Sequence, residues 1–566
     1  MMKKHTLTKH VSFSLSALAL SLSVATSAQA ATYSVVELPA EALGVNVFAQ
    51  ALDEQGNAAV VVQDQYQPPL NLSLVNFESA TVIEALTDLD AAQAGNPNFD
   101  DYNYLVAVAR SASRENSLFF QQIALYQSHL VNGQTTTRAI AFDVETDETD
   151  GFTFSADTYV NAMLSDTVFV GTAEAPFYTS TYVNSEDVST NFVVSDFDRR
   201  AFATVGTSTT PLIPVDATLG GVSEANDIND NLLVAGHQTI AVSNQFQVLI
   251  DNCNDETERG ERTLEACYRD ILRNNALANN NFRQATVWQL DSAGAVVEQI
   301  NFPYPFTFER EEEGNERIHF SNARAVNNAG IAVGETVFQR DGDFVRGTAA
   351  AVFRDGQTAT FLDGENEAPS VAFDINENNL ITGYYSQVVN GNMRTKVFVH
   401  DLDADTTHFP QDFFPGSASL GRDINNNGIV VGEGEVEAST ISTRRRHGFM
   451  YDTSTQTFTD LNDALGCESP YLIVSAQAIN DDNVILANAL VNRQARNVVG
   501  ELVTDTAGEP VMVDRVVPVL LEPLSGGALE DCGDDTSIVT ERQGASWGLW
   551  SLLLLGIAGI RRCKFA

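Results

Sequence analysis

A twelve-residue pattern that returns about every 50 residues limits what this chain can fold into more than any other feature. Each copy has a small residue, two variable positions, an Ile/Val/Leu, an Asn, polar turn residues and an apolar run closing on Gly. It reads Ala225-NDINDNLLVA-Gly236, Ala323-RAVNNAGIAV-Gly334, Ala372-FDINENNLIT-Gly383, Gly421-RDINNNGIVV-Gly432 and Ala476-QAINDDNVIL-Ala487. Weaker copies are Ala49-QALDEQGNAA-Val60 and Val160-NAMLSDTVFV-Gly171. Apolar residues flanking Asn-rich turn residues that tolerate positive φ make each copy a tight β-hairpin. The closing Gly suits a bulge or a close approach to a neighbouring backbone.

The starts at 323, 372, 421 and 476 are 49, 49 and 55 residues apart, and 225 precedes 323 by 98. The interval of 111 between 49 and 160 leaves room for one more degenerate unit, for which Tyr102–Arg110 is a poor candidate. A second motif, an aromatic before an Asp turn, alternates with the first: Ala350–Asp355, Lys396–Asp401 and His447–Asp452, with relatives at Arg200–Ala203 and Ala285–Trp288. Each begins another hairpin, so a unit holds four strands, the content of a propeller blade. Residues 31–525, less some 35 for an insertion at 250–284, leave about 460 positions. At roughly 50–60 residues per blade the expected fold is an all-β propeller of seven blades, with eight the close alternative and a solenoid the competing closure.

Both ends read as targeting segments. Lys3, Lys4 and Lys9, an apolar Ser-rich stretch and Ala28-Gln29-Ala30 form a secretory signal over 1–30, cleaved after Ala30. Residues 526–546 read as a linker and 547–566 as a hydrophobic sorting or anchor segment: Trp547–Ile560 is apolar, and Arg561, Arg562 and Lys564 follow. Those fourteen residues cover ~21 Å as a helix, short of a ~30 Å hydrocarbon core. Removing both ends takes six of the 32 basic residues and none of the 75 acidic ones, leaving 26 against 75 and a net charge of −49. Such a body does not track nucleic-acid phosphates or dock tightly on anionic lipid.

In an exported chain the four cysteines of the body read as disulfides rather than metal ligands. Of three connectivities, Cys253–Cys267 and Cys467–Cys532 are favoured, the first stapling a short amphipathic helix within the insertion. The histidines are scattered, and no nucleophile elbow, phosphate loop or dinucleotide fingerprint is present. Asp227, Asn229, Asp230, Asn376, Asn378, Asn425 and Asn427 are read as turn chemistry rather than calcium ligands, because the D-x-D-x-D-G spacing is missing. Glu309–Glu313 reads as a solvated loop, and Arg444–Arg446 as local ion pairing rather than an anion clamp.

His447-Gly448-Phe449, Tyr451-Asp452 and Asp460-Leu461, alternating with Asp423-Ile424-Asn425 to Gly432, resemble the HAF-type extracellular repeat. The whole arrangement resembles the proteobacterial domain-of-unknown-function family 3466, which has no assigned chemistry. The C-terminal end resembles the GlyGly-CTERM sorting signal of Gram-negative bacteria, although Gly544-Ala545-Ser546 stands where two glycines are usual. That likeness rests on Gly544, Ser546, Trp547, Arg561 and Arg562. It implies a rhomboid-type sorting protease and type II secretion as partners, with membrane contact only through the tail. The expected function is non-enzymatic binding of a protein or glycan in the periplasm, at the outer-membrane surface or outside the cell, with no catalytic residue and no cofactor. The alternatives are a hydrolase or lyase acting on an extracellular polymer and a calcium-dependent adhesive module.

Overall fold

The computed structural model describes residues 32–529, apart from 111–120, 122, 147–150, 153–154, 275–279, 311–315, 341–342, 345–346, 363–368 and 439–443. Seven four-stranded antiparallel sheets stand in a ring as the blades of a propeller. Each blade runs from an inner strand, A, at the axis to an outer strand, D. Their A strands are Gly44–Leu52, Thr158–Ser165, Ser223–Ile228, Ser321–Val326, Ser370–Ile375, Ser419–Ile424 and Leu472–Ile479. Every twelve-residue copy is an A–B hairpin, and the aromatic motif lies in the C strand of the second to sixth blades. The seventh blade takes its D strand, Tyr33–Glu37, from the start of the chain, pairing it with Met512–Pro523 and closing the ring. Arg493 forks onto both carboxylate oxygens of Glu37 across that closure.

The repeat's sequence rules have direct causes. In all seven blades the A–B ladder slips at the second repeat position, a bulge at Gln50, Asn161, Asn226, Arg324, Phe373, Arg422 and Gln477. The bulge drives the carbonyl before the first repeat position toward the closing residue. A Cβ on Gly236, Gly334, Gly383 or Gly432 would overlap the carbonyl oxygen of Glu224, Asn322, Val371 or Leu420. The aromatic motif supplies the wedge between blades: Phe202, Trp288, Phe353, Phe398 and Phe449 are enclosed, each packing on the preceding blade. Full burial of such a ring contributes about 1.5–3 kcal/mol.

The fifth-position Asn does more than turn the chain. Asn425 Oδ1 accepts the Ile429 N–H of its own hairpin at 2.9 Å, while its Nδ2 donates to the Asn480 carbonyl of the next blade at 2.9 Å. Asn229, Asn327 and Asn376 repeat the arrangement, donating to the carbonyls of Asn327, Asn376 and Asn425. The eighth position is left-handed at Gly330, Asn379, Gly428 and Asn483, as the turn chemistry requires, and also at Leu232, where a branched side chain bears the strain.

Among the described residues three larger insertions interrupt the blades, each between strands B and C. Helices α1 (Ala80–Ala85), α2 (Leu89–Gln93) and α3 (Phe99–Arg110) belong to the first blade, so Tyr102–Arg110 is helix and not a degenerate repeat unit. A hairpin, Tyr178–Val183 with Ser189–Val194, rises from the second blade. The insertion expected over 250–284 is a set of three helices in the third blade: α4 (Asn244–Asn254), α5 (Glu256–Arg259) and α6 (Leu264–Asn274). The Cys253–Cys267 disulfide joins α4 to α6.

Two substitutions test this framework. Asn425→Ala strands a buried carbonyl and a hairpin N–H and is expected to cost about 2–4 kcal/mol in urea unfolding. The exposed hairpin substitution Asn392→Ala should cost less than about 0.5 kcal/mol; equal effects would refute a cross-blade role. Gly383→Ala, meeting backbone rather than a movable side chain, should lose more than about 2 kcal/mol in the same measurement.

Candidate functional site

The B–C insertions and the starts of the A strands share one end of the propeller, here the B–C face; the Asn turns lie at the other end. The axis between them is a channel of about 300 Å³, lined by the bulged second-position side chains and by Asp227, Asp374 and Asp423. The three aspartates occupy the third repeat position, alternating in direction with the second, and their carboxyls lie between blades. Asp227 Oδ2 accepts the Val326 N–H at 2.8 Å, Asp374 Oδ2 the Ile424 N–H at 2.9 Å and Asp423 Oδ2 the Ile479 N–H at 2.7 Å. Burial, with the Asp374 charge adding, pushes Asp227 up to about 7. Burial followed by the charge of Asp423 raises Asp374 well above the carboxylate range, and burial also raises Asp423. The two carboxyls interact across the blade boundary, and burial together with their mutual repulsion favours one proton shared by the pair.

At the B–C mouth, Asn161 connects this channel to a second cavity of about 240 Å³ between the second and third blades. Its walls are Asp157, Tyr159, Asn161, Thr172, Ala173, Glu174, Arg199 and Glu224. Asp157 is fixed by accepting the backbone N–H groups of Leu125 at 2.8 Å and Tyr126 at 3.1 Å from the first blade. Arg199 Nη1 meets Glu224 Oε1 at 3.2 Å, and its Nε lies 3.9 Å from Asp198. Behind Glu224, His237 is enclosed, its Nδ1 3.1 Å from Asn322 Oδ1 and its Nε2 3.5 Å from Arg283. The amide oxygen makes Nδ1 the donor, and the Arg283 guanidinium beside Nε2 calls for an acceptor there, so the ring is neutral. Burial first, then Arg283, lowers its pKa to about 4. Burial alone would raise Glu224, but Arg199 paired to it and Arg283 behind it outweigh burial and hold the carboxyl low.

The other sequence candidates fall elsewhere. Arg444, Arg445 and Arg446 face Glu435 at 2.6 Å, Glu437 at 3.1 Å and Glu433 at 3.8 Å, which is local ion pairing. Arg310 pairs with Glu316 at 2.9 Å; Glu311–Glu313 lie outside the described residues. Asn378 and Asn427 donate to the carbonyls of Asn426 and Asp481 in the next blade. Asp227 is a correction of place: it sits in the A strand with its carboxyl between two blades, not in the turn. Among the described residues no three His, Cys, Asp or Glu converge closely enough to hold a metal ion, and no helix is long and apolar enough to cross a membrane. Cys467 is disulfide-bonded, whereas Cys532, Ala28, Ala30, Gly544, Ser546, Trp547, Arg561 and Arg562 lie outside the described residues. Asp374 and Asp423 carried a signal in the sequence, an acid at the third repeat position. The second cavity carried none, since Asp157, Thr172, Glu174 and Arg199 belong to the most degenerate copy or its flanks.

Ring and axis together define a closed seven-bladed β-propeller with a polar core. The chain belongs to the family described as a protein of unknown function (DUF3466), which matches residues 10–563. No curated protein matches the chain. Among solved structures it is similar to an oligogalacturonate lyase in complex with manganese, at 10% identity and a TM-score of 0.32, over 71% of this chain and 83% of that one. A puromycin-hydrolysing peptidase of Mycobacterium tuberculosis is similar at 10% identity and a TM-score of 0.35, over 81% of this chain and 52% of that one. The β-propeller domain of the Trilobed protease from Pyrococcus furiosus, with an open velcro topology, gives 10% and 0.25, over 74% and 95%. At these values none bears on the chemistry of this chain.

The aspartate ladder predicts an inverted pH dependence. A carboxyl with a raised folded pKa keeps its proton while the unfolded chain, at about 3.9, loses it. Its contribution to stability is therefore full below the unfolded value and lost as pH rises toward about 7 for Asp227. Thermal unfolding from pH 5 to 8 should show stability falling with pH less steeply in Asp227→Asn than in the parent. Parallel profiles would remove this aspartate from the account.

Proposed function

We propose that the chain is an exported binding protein that docks a protein partner on its B–C face. The observation carrying this is where apolar side chains stay in water: Val183, Val188, Val248, Val388, Met393 and Leu502 are all more than half exposed, and they lie between strands B and C or, for Val388 and Met393, at the ends of those strands beside their turn. Such side chains rimming one face mark an interaction surface. They are aliphatic or Met, while the exposed rings of the same insertions, Phe99 and Tyr178, are fewer and less exposed than these, and this balance favours protein over glycan. The polymer-cleaving alternative gains no support from the Glu224 cluster, because His237 is enclosed and Glu224 is engaged by Arg199.

The chain ends point the same way. Leu524 N–H donates to the Thr32 carbonyl at 2.8 Å beside the A–B turns, so both ends of the described chain leave from the face opposite the insertions. If the C-terminal segment holds the protein at a membrane, the B–C face is directed outward. A leader-like N-terminus and the Cys253–Cys267 disulfide support export to an oxidising compartment.

A photo-crosslinking residue placed at Val183 or Val388 in the producing cell is expected to yield a discrete protein adduct. The same residue at Asn378 or Asp482, in the opposite turns, should not. Adducts from neither face, or equally from both, would contradict the reading.

A further inference from the structure

We infer that the axial channel binds one neutral sugar ring, whose hydroxyl groups accept hydrogen bonds on one arc of the propeller and donate them on the other. The protein's donors come from the fourth and sixth blades. Glu335 takes Nε and Nη2 of Arg324 at 3.2 and 2.6 Å, and Glu433 takes Nη2 of Arg422 at 3.2 Å. Each glutamate follows the closing glycine of its own blade, so both guanidiniums are held from behind. Their Nη1 groups, on residues lining the channel, meet no acceptor among the described residues. In the fifth blade between them, Phe373 and Tyr384 take the places of the Arg and the Glu, and Arg324 Cζ lies 5.0 Å from the Phe373 ring centroid.

The acceptors come from the first, third and seventh blades, at the same repeat position. Gln50 spends its amide nitrogen on Asn161 Oδ1 at 3.5 Å, and Gln477 on Ser475 Oγ at 2.9 Å. Asn226 spends its own on Asn322 Oδ1 and the Ala323 carbonyl, both at 2.8 Å. The amide oxygens of all three receive no donor among the described residues. A hydroxyl is the neutral group that both accepts from a guanidinium and donates to an amide oxygen. A carboxylate would satisfy the arginines alone and face Glu54, Glu377 and Asp481 toward the turn end. Those three accept one backbone N–H each from the preceding blade, at 3.1, 2.9 and 2.8 Å, and keep lone pairs for further hydroxyls. An ammonium among the amides would lie beside Arg324 and Arg422. At about 300 Å³ the channel stands at the lower limit of the ~300–1,000 Å³ of small-molecule pockets, with room for one sugar ring and not for a chain. The site is separate from the docking face and stands whether or not a protein binds there.

Calorimetric titration of the purified protein with D-glucose, D-galactose and D-mannose tests the assignment, with glucuronate and glucosamine as the anionic and cationic forms of the ring. At least one neutral hexose is expected to bind at millimolar or tighter, and both charged forms at least about tenfold more weakly. Arg422→Gln should weaken that binding about tenfold. Gln477→Leu, which removes an amide bonded only to Ser475 of its own strand, should weaken it several-fold. Unchanged melting temperatures certify both folds. No heat from any of the three hexoses, a charged form binding as tightly as the neutral ring, or undiminished affinity in either folded variant would overturn it.

Discussion

The amide of one asparagine in each of the third to sixth blades, accepting from its own hairpin and donating to the next blade, is the interaction on which the ring depends. A blade has no reason of its own to stand beside another at the angle a closed ring requires. Apolar wedges such as Phe398 and Phe449 supply attraction but little direction. The Asn229–Asn327–Asn376–Asn425–Asn480 chain supplies direction, because each amide reaches both partners only when neighbouring hairpins keep one offset. Where the series runs out, other groups take over. Asp53 in the first blade accepts only from its own turn, and the joint to the seventh blade is made by Asn488 Oδ1 accepting the Ala49 N–H.

The second consequence is a polar axis. Bulging every A strand at the same position turns the second-position side chain into the channel and the third between the blades. Sterics thus place Asp227, Asp374 and Asp423 where backbone N–H groups of the next blade meet them. Carboxyls enclosed there hold protons more tightly than in water, so part of the ring's polar scaffold is neutral near pH 7. The formal charge of −43 therefore overstates the charge of the folded protein. What remains sits on the surface, at the turns and around the B–C mouth.

The architecture was legible because it rests on local rules repeated many times. The hairpin recurs in all five clear copies, the closing glycine and the C-strand aromatic in four of them, and their spacing yields seven blades. Two things escaped for physical reasons. Helices α1–α3 fill the long interval after the first copy, and a stretch such as Phe99–Arg110 has no counterpart elsewhere to mark it as an insertion. The second cavity is made by Asp157, Thr172, Glu174, Arg199 and Glu224, brought together by pairing across two blades. None occupies a conspicuous repeat position, and spatial convergence across blades leaves no trace in linear spacing. The cross-blade duty of the fifth-position Asn was similarly hidden, since a turn-forming role already accounted for the residue type.

Hydrogen exchange at the ring's joint tests the central claim, that the blades form one closed and cooperatively held circle. If the closure is as described, amides of Tyr33–Glu37 paired with Met512–Pro523 exchange as slowly as those of the A strands of the fourth to sixth blades. Exchange of Tyr33–Glu37 at the rate of a frayed terminus, while the inner strands stay protected, would show an open ring and contradict the account.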